Sequence, residues 1–185
     1  MSGYLSNQLL VAMPTLEDPN FAQTVTLICE HTGKGALGII LNRPLGMLLG
    51  EVLDQLSLPA ADPKLRDRPV LRGGPVQTDR GFVLHRPVGE WESTLKVSEQ
   101  IHVTTSRDIL VSVAAGNGPG SAVVALGYAG WDAGQLEDEI RSNAWLNVPA
   151  DESVFFDLPF EARWHAAAKL LGIDLGRIAR HAGHA

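Results

Sequence analysis

Four short motifs in this sequence join glycine or proline to a large polar or aromatic side chain, a combination that can bind anions. Glycine gives the backbone access to positive φ angles, and successive N–H groups in such turns can cradle an anion. Arg43, Arg72 and Arg80 could add forked pairs of N–H donors for a carboxylate or a phosphate. The same pattern is typical of tight turns whose arginine donates to nearby carbonyls. The motifs are Asn42-Arg43-Pro44, Arg72-Gly73-Gly74-Pro75-Val76, Arg80-Gly81-Phe82-Val83-Leu84-His85 and Gly127-Tyr128-Ala129-Gly130-Trp131.

We expect these turns to meet on one rim of the fold. Such turns lie at strand ends, and the strand ends of a compact barrel-like sheet cluster on one rim. Arginine forks, backbone N–H donors and one aromatic plate would suit a planar anionic ligand or a carboxylate-bearing protein partner. If the arginines only satisfy local carbonyls, they will point apart. The predicted ligand-binding residues are His31, Asn42, Arg43, Arg72, Gly73, Gly74, Arg80, His85 and Trp131.

A nucleophilic site is a weaker hypothesis. Cys29 and His31 would lie on one face of a strand with Cα atoms about 7 Å apart. A lone cysteine between Ile28 and Glu30 is nevertheless more typical of a core residue than of a nucleophile. Glu30 could act as a general acid, but its pattern is also that of a surface residue. The sequence therefore assigns no catalytic residue. If the protein is an enzyme, the residues expected to take part in its chemistry are Glu30, His31, Arg43 and His85.

Cofactor and metal sites are not indicated. The Gly116-x-Gly118-x-Gly120 segment follows a predicted helix and precedes a strand, the reverse of the order in a dinucleotide site. The sequence has no Gly-Lys-Ser or Gly-Lys-Thr of a P-loop. Its six histidines form no HExxH motif, and two of them, His181 and His184, lie in the last five residues. We predict neither a bound cofactor nor a metal.

Composition narrows the class of protein. The 185 residues, 45% of them hydrophobic, predict one globular domain over residues 1–185. A net charge of −6 opposes general binding to nucleic acid, and one cysteine excludes an internal disulfide. The first 14 residues carry no Lys or Arg, which disfavours a secretory signal. The uncharged stretch from Ile109 to Trp131 is interrupted by glycines, so we expect no membrane span and a cytoplasmic location.

Charge is distributed unevenly along the chain. The segment from Lys64 to Arg86 contains six basic and two acidic residues. The segment from Asp132 to Glu161 contains eight acidic residues and one basic residue, Arg141. This asymmetry could mark an anion-binding patch beside an acidic face, or two solvated surfaces that neutralise each other. The basic segment also supports an alternative hypothesis, that the protein binds nucleic acid through Arg66, Arg68, Arg72, Arg80 and Arg86.

Hydrophobic periodicity predicts a mixed α+β domain that must position these residues. In the helix that starts at Pro159, the apolar stripe of Phe160, Trp164, Ala168 and Leu171 predicts a buried Trp164. A helix opening at Thr105 has Asp108 in capping-box position. The other predicted helices are Leu48 to Leu56 and one capped by Asp132, and the predicted strands are Gln8 to Met13, Thr24 to His31, Ala36 to Asn42, Val70 to Arg72, Gly81 to His85, Gln100 to Thr104 and Ser121 to Leu126.

Ordered motifs along nearly the whole chain resemble those of the YqgE/AlgH family of bacterial proteins. The matching stretches include Leu9-Leu10-Val11-Ala12-Met13-Pro14, Asn42-Arg43-Pro44, Gly73-Gly74-Pro75-Val76, Arg80-Gly81-Phe82-Val83-Leu84-His85, Thr105-Ser106-x-Asp108, Gly127-Tyr128-Ala129-Gly130-Trp131, Gly134-Gln135-Leu136-Glu137-x-Glu139, Asn143-x-Trp145-Leu146 and Leu171-Gly172-Ile173-Asp174.

The resemblance implies a mixed sheet with a small closed barrel-like core surrounded by helices. Some members of the family are named as transcriptional regulators of alginate production, although the family's biochemical activity is not established. A genetic role of this kind does not require contact with DNA. The functional candidates that the resemblance implies are the polar and aromatic motif residues His31, Asn42, Arg43, Arg80, His85, Ser106, Asp108, Trp131, Gln135, Glu137, Asn143 and Trp145.

The sequence therefore favours a non-enzymatic, cytoplasmic regulatory or binding protein for a small anionic ligand or a protein partner. An enzyme of unassigned reaction with a His/Glu/Arg site is the alternative, and a nucleic-acid binder is the third hypothesis. Sequence-specific nucleic acid and membrane are not expected partners, and no oligomeric state is predicted.

Overall fold

Ten strands form one branched sheet in the computed structural model, which describes residues 4–173 and residue 175. The sheet curls into a half-barrel, with helices packed on its faces. This arrangement confirms the predicted mixed α+β class. The strands are β1 (Gln8–Ala12), β2 (Val25–Thr32), β3 (Gly35–Ile40), β4 (Pro44–Leu48), β5 (Pro69–Arg72), β6 (Val76–His85), β7 (Thr94–Lys96), β8 (His102–Thr104), β9 (Ala122–Asp132) and β10 (Trp145–Pro149).

Strand β9 is the branch point of the sheet. The main path runs β10-β1-β2-β3-β9-β6-β8-β7, and neighbouring strands along it are antiparallel. Strand β5 adds a parallel pairing to β9, and β4 pairs with β5. The helices are α1 (Leu49–Gln55), α2 (Arg107–Ala114), α3 (Gln135–Arg141), α4 (Glu152–Phe156) and α5 (Phe160–Lys169), with a 3₁₀ helix at Pro63–Asp67.

Two apolar layers lie on opposite faces of β9, because successive side chains of a strand point to opposite sides. Val123 and Ala125 pack into the layer that contains α4 and α5. Val124 and Leu126 pack into the layer that contains α1 and α2. The strand predicted from Ser121 to Leu126 corresponds to the first half of β9, which is apolar on both faces. Among the described residues, no helix is both long enough and apolar enough to cross a bilayer.

Trp164 is buried, as the helical stripe predicted. It is 9% exposed, and its indole Nε1 donates to the carbonyl of Ala12 at 2.9 Å. Leu171 was wrongly placed in the same stripe, since α5 ends at Lys169 and Leu171 is 42% exposed. Gly172 does close the helix: its φ is 73°, its N–H donates to the carbonyl of Lys169, and the N–H of Ile173 donates to that of Ala168. His181 and His184 lie outside the described residues.

Two local predictions are wrong for reasons visible in the backbone. Gly130 and Trp131 were expected to form a turn, but β9 continues through both to Asp132. Gly74 is needed because the backbone of β9 passes close to it: a Cβ added at Gly74 would lie 2.1 Å from the backbone of Tyr128. Helix α2 begins after Ser106, not Thr105, and Asp108 does not close a capping box.

A β-bulge separates Cys29 and His31, which were expected to share a face. The register of β2 against β3 shifts between Ile28 and Glu30. Cys29 consequently packs into the main core, whereas His31 pairs with Ala36, which packs against the cluster around Trp131. The bulge supplies one extra residue, so it reverses the alternation. Cys29 has its pKa raised to about 12 by burial, and it is no nucleophile.

Candidate functional site

A cavity of about 410 Å³ lies between α1, α2 and the β6–β9 face of the sheet. We refer to it as the α1–α2 cavity. Its volume lies within the roughly 300–1,000 Å³ of small-molecule sites. It is lined by Met47, Val52, Gln55, Leu56, Thr78, Asp79, Gly81, Val83, Thr104, Thr105, Ser106, Arg107, Leu110, Val124 and Leu126.

The floor of this cavity is apolar because amphipathic elements turn their core-facing sides toward it. Val52 and Leu56 are four residues apart and share one face of α1. Val124 and Leu126 are two residues apart and share one face of β9. Leu110 of α2 completes the contact between the two helices.

The rim of the cavity is polar and carries one charge of each sign. Asp79 and Arg107 are both exposed, and the hydroxyl-bearing residues Thr78 and Thr105 lie in the same lining. Arg107 donates from Nη2 to the carbonyl of Leu56 at 2.9 Å, which ties the start of α2 to the end of α1. This bond uses one of the five N–H groups of the guanidinium. The cavity thus combines an apolar floor with hydrogen-bonding groups at its mouth.

Ser106 and Asp108 hold the rim in place. The Ser106 hydroxyl donates to the Asp108 carboxylate and accepts from the N–H of Ser93 at 3.0 Å. Asp108 also accepts from the N–H of Glu92 at 2.7 Å. These hydrogen bonds, that from Ser106 above all, lower the pKa of Asp108. Asp108 is therefore ionised and a poor general base at neutral pH.

His85 lies behind the cavity in a directional chain of hydrogen bonds. Its Nδ1 faces the carbonyl of Arg86 at 2.7 Å and must donate. Burial lowers the pKa of His85, so the neutral ring leaves Nε2 as an acceptor for the Thr104 hydroxyl at 2.7 Å. Thr104 in turn accepts from the hydroxyl of Thr94. A hydroxyl beside imidazole resembles an activated nucleophile, but Thr104 is 0% exposed.

Asn42 and Arg43 hold the chain segment that precedes β2. The Asn42 side chain accepts from the N–H of Val25 and donates to the carbonyl of Gln23. Arg43 donates to the carbonyls of Pro19 and Ala22, each at 2.7 Å. The two residues also line a cavity of about 330 Å³ together with Glu161, Trp164 and His165.

The predicted arginines contact neutral groups. Arg72 reaches the Asn20 side chain at 3.4 Å, close to the loop that Arg43 holds. Arg80 instead contacts Gln77 at 3.4 Å and stacks over the Phe82 ring at 5.3 Å. These partners correspond to the alternative in which the arginines satisfy local groups. The common ligand rim stays a prediction.

The two predicted glycines are close-packing residues. A Cβ at Gly73 would lie 2.4 Å from the carbonyl oxygen of Gly127, and one at Gly74 would overlap the backbone of Tyr128. The pair therefore lets β5 and β9 approach each other closely. Their N–H groups do not form an open nest, since that of Gly73 donates to the carbonyl of Leu126.

His31 and Trp131 belong to a polar network around α3. His31 accepts at Nδ1 from the N–H of Leu5 and donates from Nε2 to Glu137 at 3.0 Å. A backbone N–H and this histidine lower the pKa of Glu137. Trp131 is 5% exposed and donates to Glu139 at 3.1 Å.

Glu139 is a residue that the sequence candidates omitted. One of its oxygens accepts from the indole N–H of Trp131 and from that of Trp145 at 3.0 Å, and the other accepts from Gln135. On the same helix, Arg141 pairs with Asp138. The network fixes α3 to β9 and β10.

Thr78, Asp79, Thr105 and Arg107 were also absent from the candidates, although all line the α1–α2 cavity. Two of them, Thr105 and Arg107, could have been found from the Thr105-Ser106-x-Asp108 motif at the start of a predicted helix, in which x is Arg107. Within residues 4–173 and 175, no group of three or more His, Cys, Asp or Glu side chains is placed to hold a metal ion.

Comparison with known proteins places the whole chain in one family. The AlgH-like family model matches residues 9–176. A UPF0301 protein of Thioalkalivibrio sulfidiphilus is 55% identical over 184 residues, covering 100% of this chain and 98% of the relative. A UPF0301 protein of Nitrosococcus oceani is 51% identical over 182 residues, covering 98% and 97%.

Solved structures agree with this assignment. The solution structure of the AlgH protein from Pseudomonas aeruginosa has a TM-score of 0.82 and 50% identity, over 100% of this chain and 98% of the other. A crystal structure of a Corynebacterium diphtheriae protein, at 19% identity, has a TM-score of 0.73 over 95% and 91% and shows the fold alone. The fold, the family model and the full-length relatives agree that this chain belongs to the AlgH-like family.

Proposed function

We propose that this chain is a non-enzymatic binding protein whose ligand is a small amphipathic molecule held in the α1–α2 cavity. The observation that supports the proposal is the cavity itself, about 410 Å³ with an apolar floor and a hydrogen-bonding rim. Cavities of this size and character are typical of small-molecule sites.

The rim suggests the chemistry of the ligand's polar end. Arg107 offers N–H donors, Asp79 offers carboxylate acceptors, and Thr78 and Thr105 can do either. A polar end that both donates and accepts, such as a hydroxylated or zwitterionic group, would satisfy this set. The charges of Asp79 and Arg107 balance, so a fully anionic head is not especially favoured at this cavity.

Binding is preferred to catalysis because none of the described residues that line this cavity combines an accessible nucleophile with a neighbouring base. Asp108 is held ionised by its hydrogen bonds, and Ser106 donates to it without a histidine that could accept its proton. Thr104, which does contact a histidine, is buried. Nucleophilic catalysis needs an accessible nucleophile beside a base.

We further infer a cytoplasmic regulatory role, as the name AlgH is carried by a relative at 50% identity. Ligand binding between α1 and α2 would alter the surface that these helices present. A protein partner that reads this surface would then respond to the ligand. This route needs no DNA contact, in keeping with the net charge of −6.

The test is a binding titration with prodan, a neutral amphipathic fluorescent probe, on a variant whose cavity mouth is filled. Thr78 is exposed at the rim, so Thr78→Trp should fold and obstruct entry. Thr15→Trp adds the same side chain at an exposed site outside the cavity lining.

We expect one probe molecule to bind per wild-type chain. The affinity should be about tenfold weaker in Thr78→Trp, a loss of ~1.4 kcal/mol in binding free energy, and unchanged in Thr15→Trp. Equal affinity in both variants would show that the probe binds elsewhere. Such a result would remove the α1–α2 cavity as the binding site.

A further inference from the structure

Arg163 is a buried cation on the other side of β9 from the α1–α2 cavity. It is 4% exposed on α5. Its Nε donates to the carbonyl of Leu158 at 3.0 Å, and its Nη1 donates to the carbonyl of Leu41 at 2.8 Å. These two bonds leave other N–H donors of the guanidinium available.

The charge of Arg163 lacks an acidic partner. Among residues 4–173 and 175, no carboxylate oxygen lies within 4.0 Å of its guanidinium nitrogens. Carbonyls and the face of Phe160, 4.7 Å from the guanidinium carbon, carry only partial negative charge. Burial lowers the pKa of Arg163 to about 10. A desolvated cation in this state gains free energy when an anion reaches it.

A cavity of about 240 Å³ opens beside this cation. Its lining combines Arg68 and Pro69, the start of β9 and three phenylalanines, of which Phe155 is fully buried and Phe156 and Phe160 are partly exposed. Arg68 is exposed and contributes a second guanidinium.

The first acidic side chain of α4 is engaged by an arginine outside this cavity lining. Glu152 pairs with Arg86 at 3.3 Å, and Arg86 stacks over the outer ring of Phe156 at 5.2 Å. The carboxylate of Glu152 therefore neutralises Arg86, and the positive charges of Arg68 and Arg163 remain at the cavity.

We propose that this cavity is a binding site for a small organic carboxylate that carries a flat apolar group. The carboxylate would accept from Arg163 and Arg68, in the forked geometry that guanidinium groups favour. The apolar group would lie against Phe156 and Phe160, which are partly exposed. We call it the arginine–phenylalanine cavity.

Size and wall chemistry select this ligand class over inorganic phosphate. The volume is about eight times the ~30 Å³ that one water occupies in the liquid, enough for a benzoate-sized molecule. Phosphate would satisfy the guanidinium groups but leave Phe156 and Phe160 in contact with water. A carboxylate joined to a ring would cover both the charged and the aromatic groups.

This site is separate from the one in the proposed function. Val123 lines the arginine–phenylalanine cavity, whereas its neighbour Val124 lines the α1–α2 cavity. Adjacent residues of a strand point to opposite faces, so the sheet divides the two spaces. Failure at one cavity leaves the other proposal intact.

The test is an NMR titration of the ¹⁵N-labelled full chain with benzoate, following the Arg163 Nε–H resonance. Benzyl alcohol, which has the ring without the charge, and inorganic phosphate, which has the charge without the ring, serve as parallel probes. Arg68→Gln removes the exposed guanidinium without touching the buried one. Arg43→Gln is the matched control, because Arg43 bonds to the carbonyls of Pro19 and Ala22 and does not line this cavity.

We expect benzoate to shift the Arg163 resonance with 1:1 saturation, and Arg68→Gln to weaken binding about tenfold. Arg43→Gln should bind as the wild type does, and both other probes should bind more weakly than benzoate. The proposal is overturned if benzoate leaves the resonance unmoved, or if both glutamine variants bind benzoate equally. Phosphate binding as tightly as benzoate would also overturn it, since the aromatic wall would then have no role.

Discussion

Replacing Trp164 tests how the core holds α5 against the sheet. Trp164 is 9% exposed, and its indole donates to the carbonyl of Ala12 in β1. Truncation to alanine removes a large buried side chain and leaves a void, which costs about 3–5 kcal/mol. Trp164→Phe keeps most of the ring but leaves the carbonyl without this donor, which costs about 1–3 kcal/mol.

Urea unfolding followed by circular dichroism measures both effects. At unchanged slope, the order of stability should be wild type, Trp164→Phe, Trp164→Ala. For a chain of this length, each 1 kcal/mol corresponds to roughly 2–4 °C in Tm. Trp164→Ala should therefore melt about 6–20 °C lower.

Leu171→Ala is the control because the sequence pattern placed Leu171 in the same apolar stripe. The side chain is 42% exposed and lies beyond the end of α5, so we expect a change within about 0.5 kcal/mol. Equal losses from both substitutions would refute the burial argument. So would a Trp164→Ala protein that melts with the wild type.

Two other predictions concern pH and nucleic acid. Burial lowers the folded-state pKa of His85 from 6.5, so the unfolded chain binds more protons as pH falls. Wild-type stability should therefore decline below about pH 6.5 more steeply than that of His85→Gln in urea titrations, and parallel declines would contradict this. Duplex DNA should bind no tighter than about 10⁻⁴–10⁻⁶ M at physiological salt, because the net charge is −6. Fluorescence anisotropy would refute this with submicromolar, sequence-dependent binding.

Elements with strong apolar periodicity could be predicted from the sequence. The spacing of Leu49, Val52 and Leu53 predicted α1, and all three are buried. The predicted strands Thr24 to His31 and Ala36 to Asn42 correspond to β2 and β3, which form a hairpin in which Thr32 pairs with Gly35. Burial was the dominant force in these segments, and periodicity reports burial directly.

Short or exposed elements were missed because packing and pairing, not pattern, create them. All three residues of β7 (Thr94–Lys96) are exposed, and the strand exists through its pairing with β8. Strand β4 (Pro44–Leu48) is also mostly exposed and pairs with β5 around an irregularity. Strand β10 and helix α4 lie within the acidic segment from Asp132 to Glu161 and have no long apolar repeat.

The polar motifs were recognised in the sequence, but their partners were not. Each candidate arginine was a plausible fork for an anion, and only the coordinates show Arg43 donating to the carbonyls of Pro19 and Ala22. The bulge in β2 similarly turns His31 toward Glu137, which is 106 residues away in sequence. A side chain's role depends on such distant partners, which local spacing does not encode.

Arg163 is a residue whose environment the sequence did not predict and which no motif singled out. Its position on α5, one residue before the buried Trp164, resembles that of an ordinary helix arginine with its charge in solvent. The fold instead brings the carbonyl of Leu41, 122 residues away, to its Nη1 group and three phenylalanine rings to the adjacent cavity. Because neutral carbonyls cannot cancel a full charge, the electrostatic need for an anion arises only when the sheet and α5 come together. The tertiary structure, and not a local motif, therefore creates the chemistry proposed for the arginine–phenylalanine cavity.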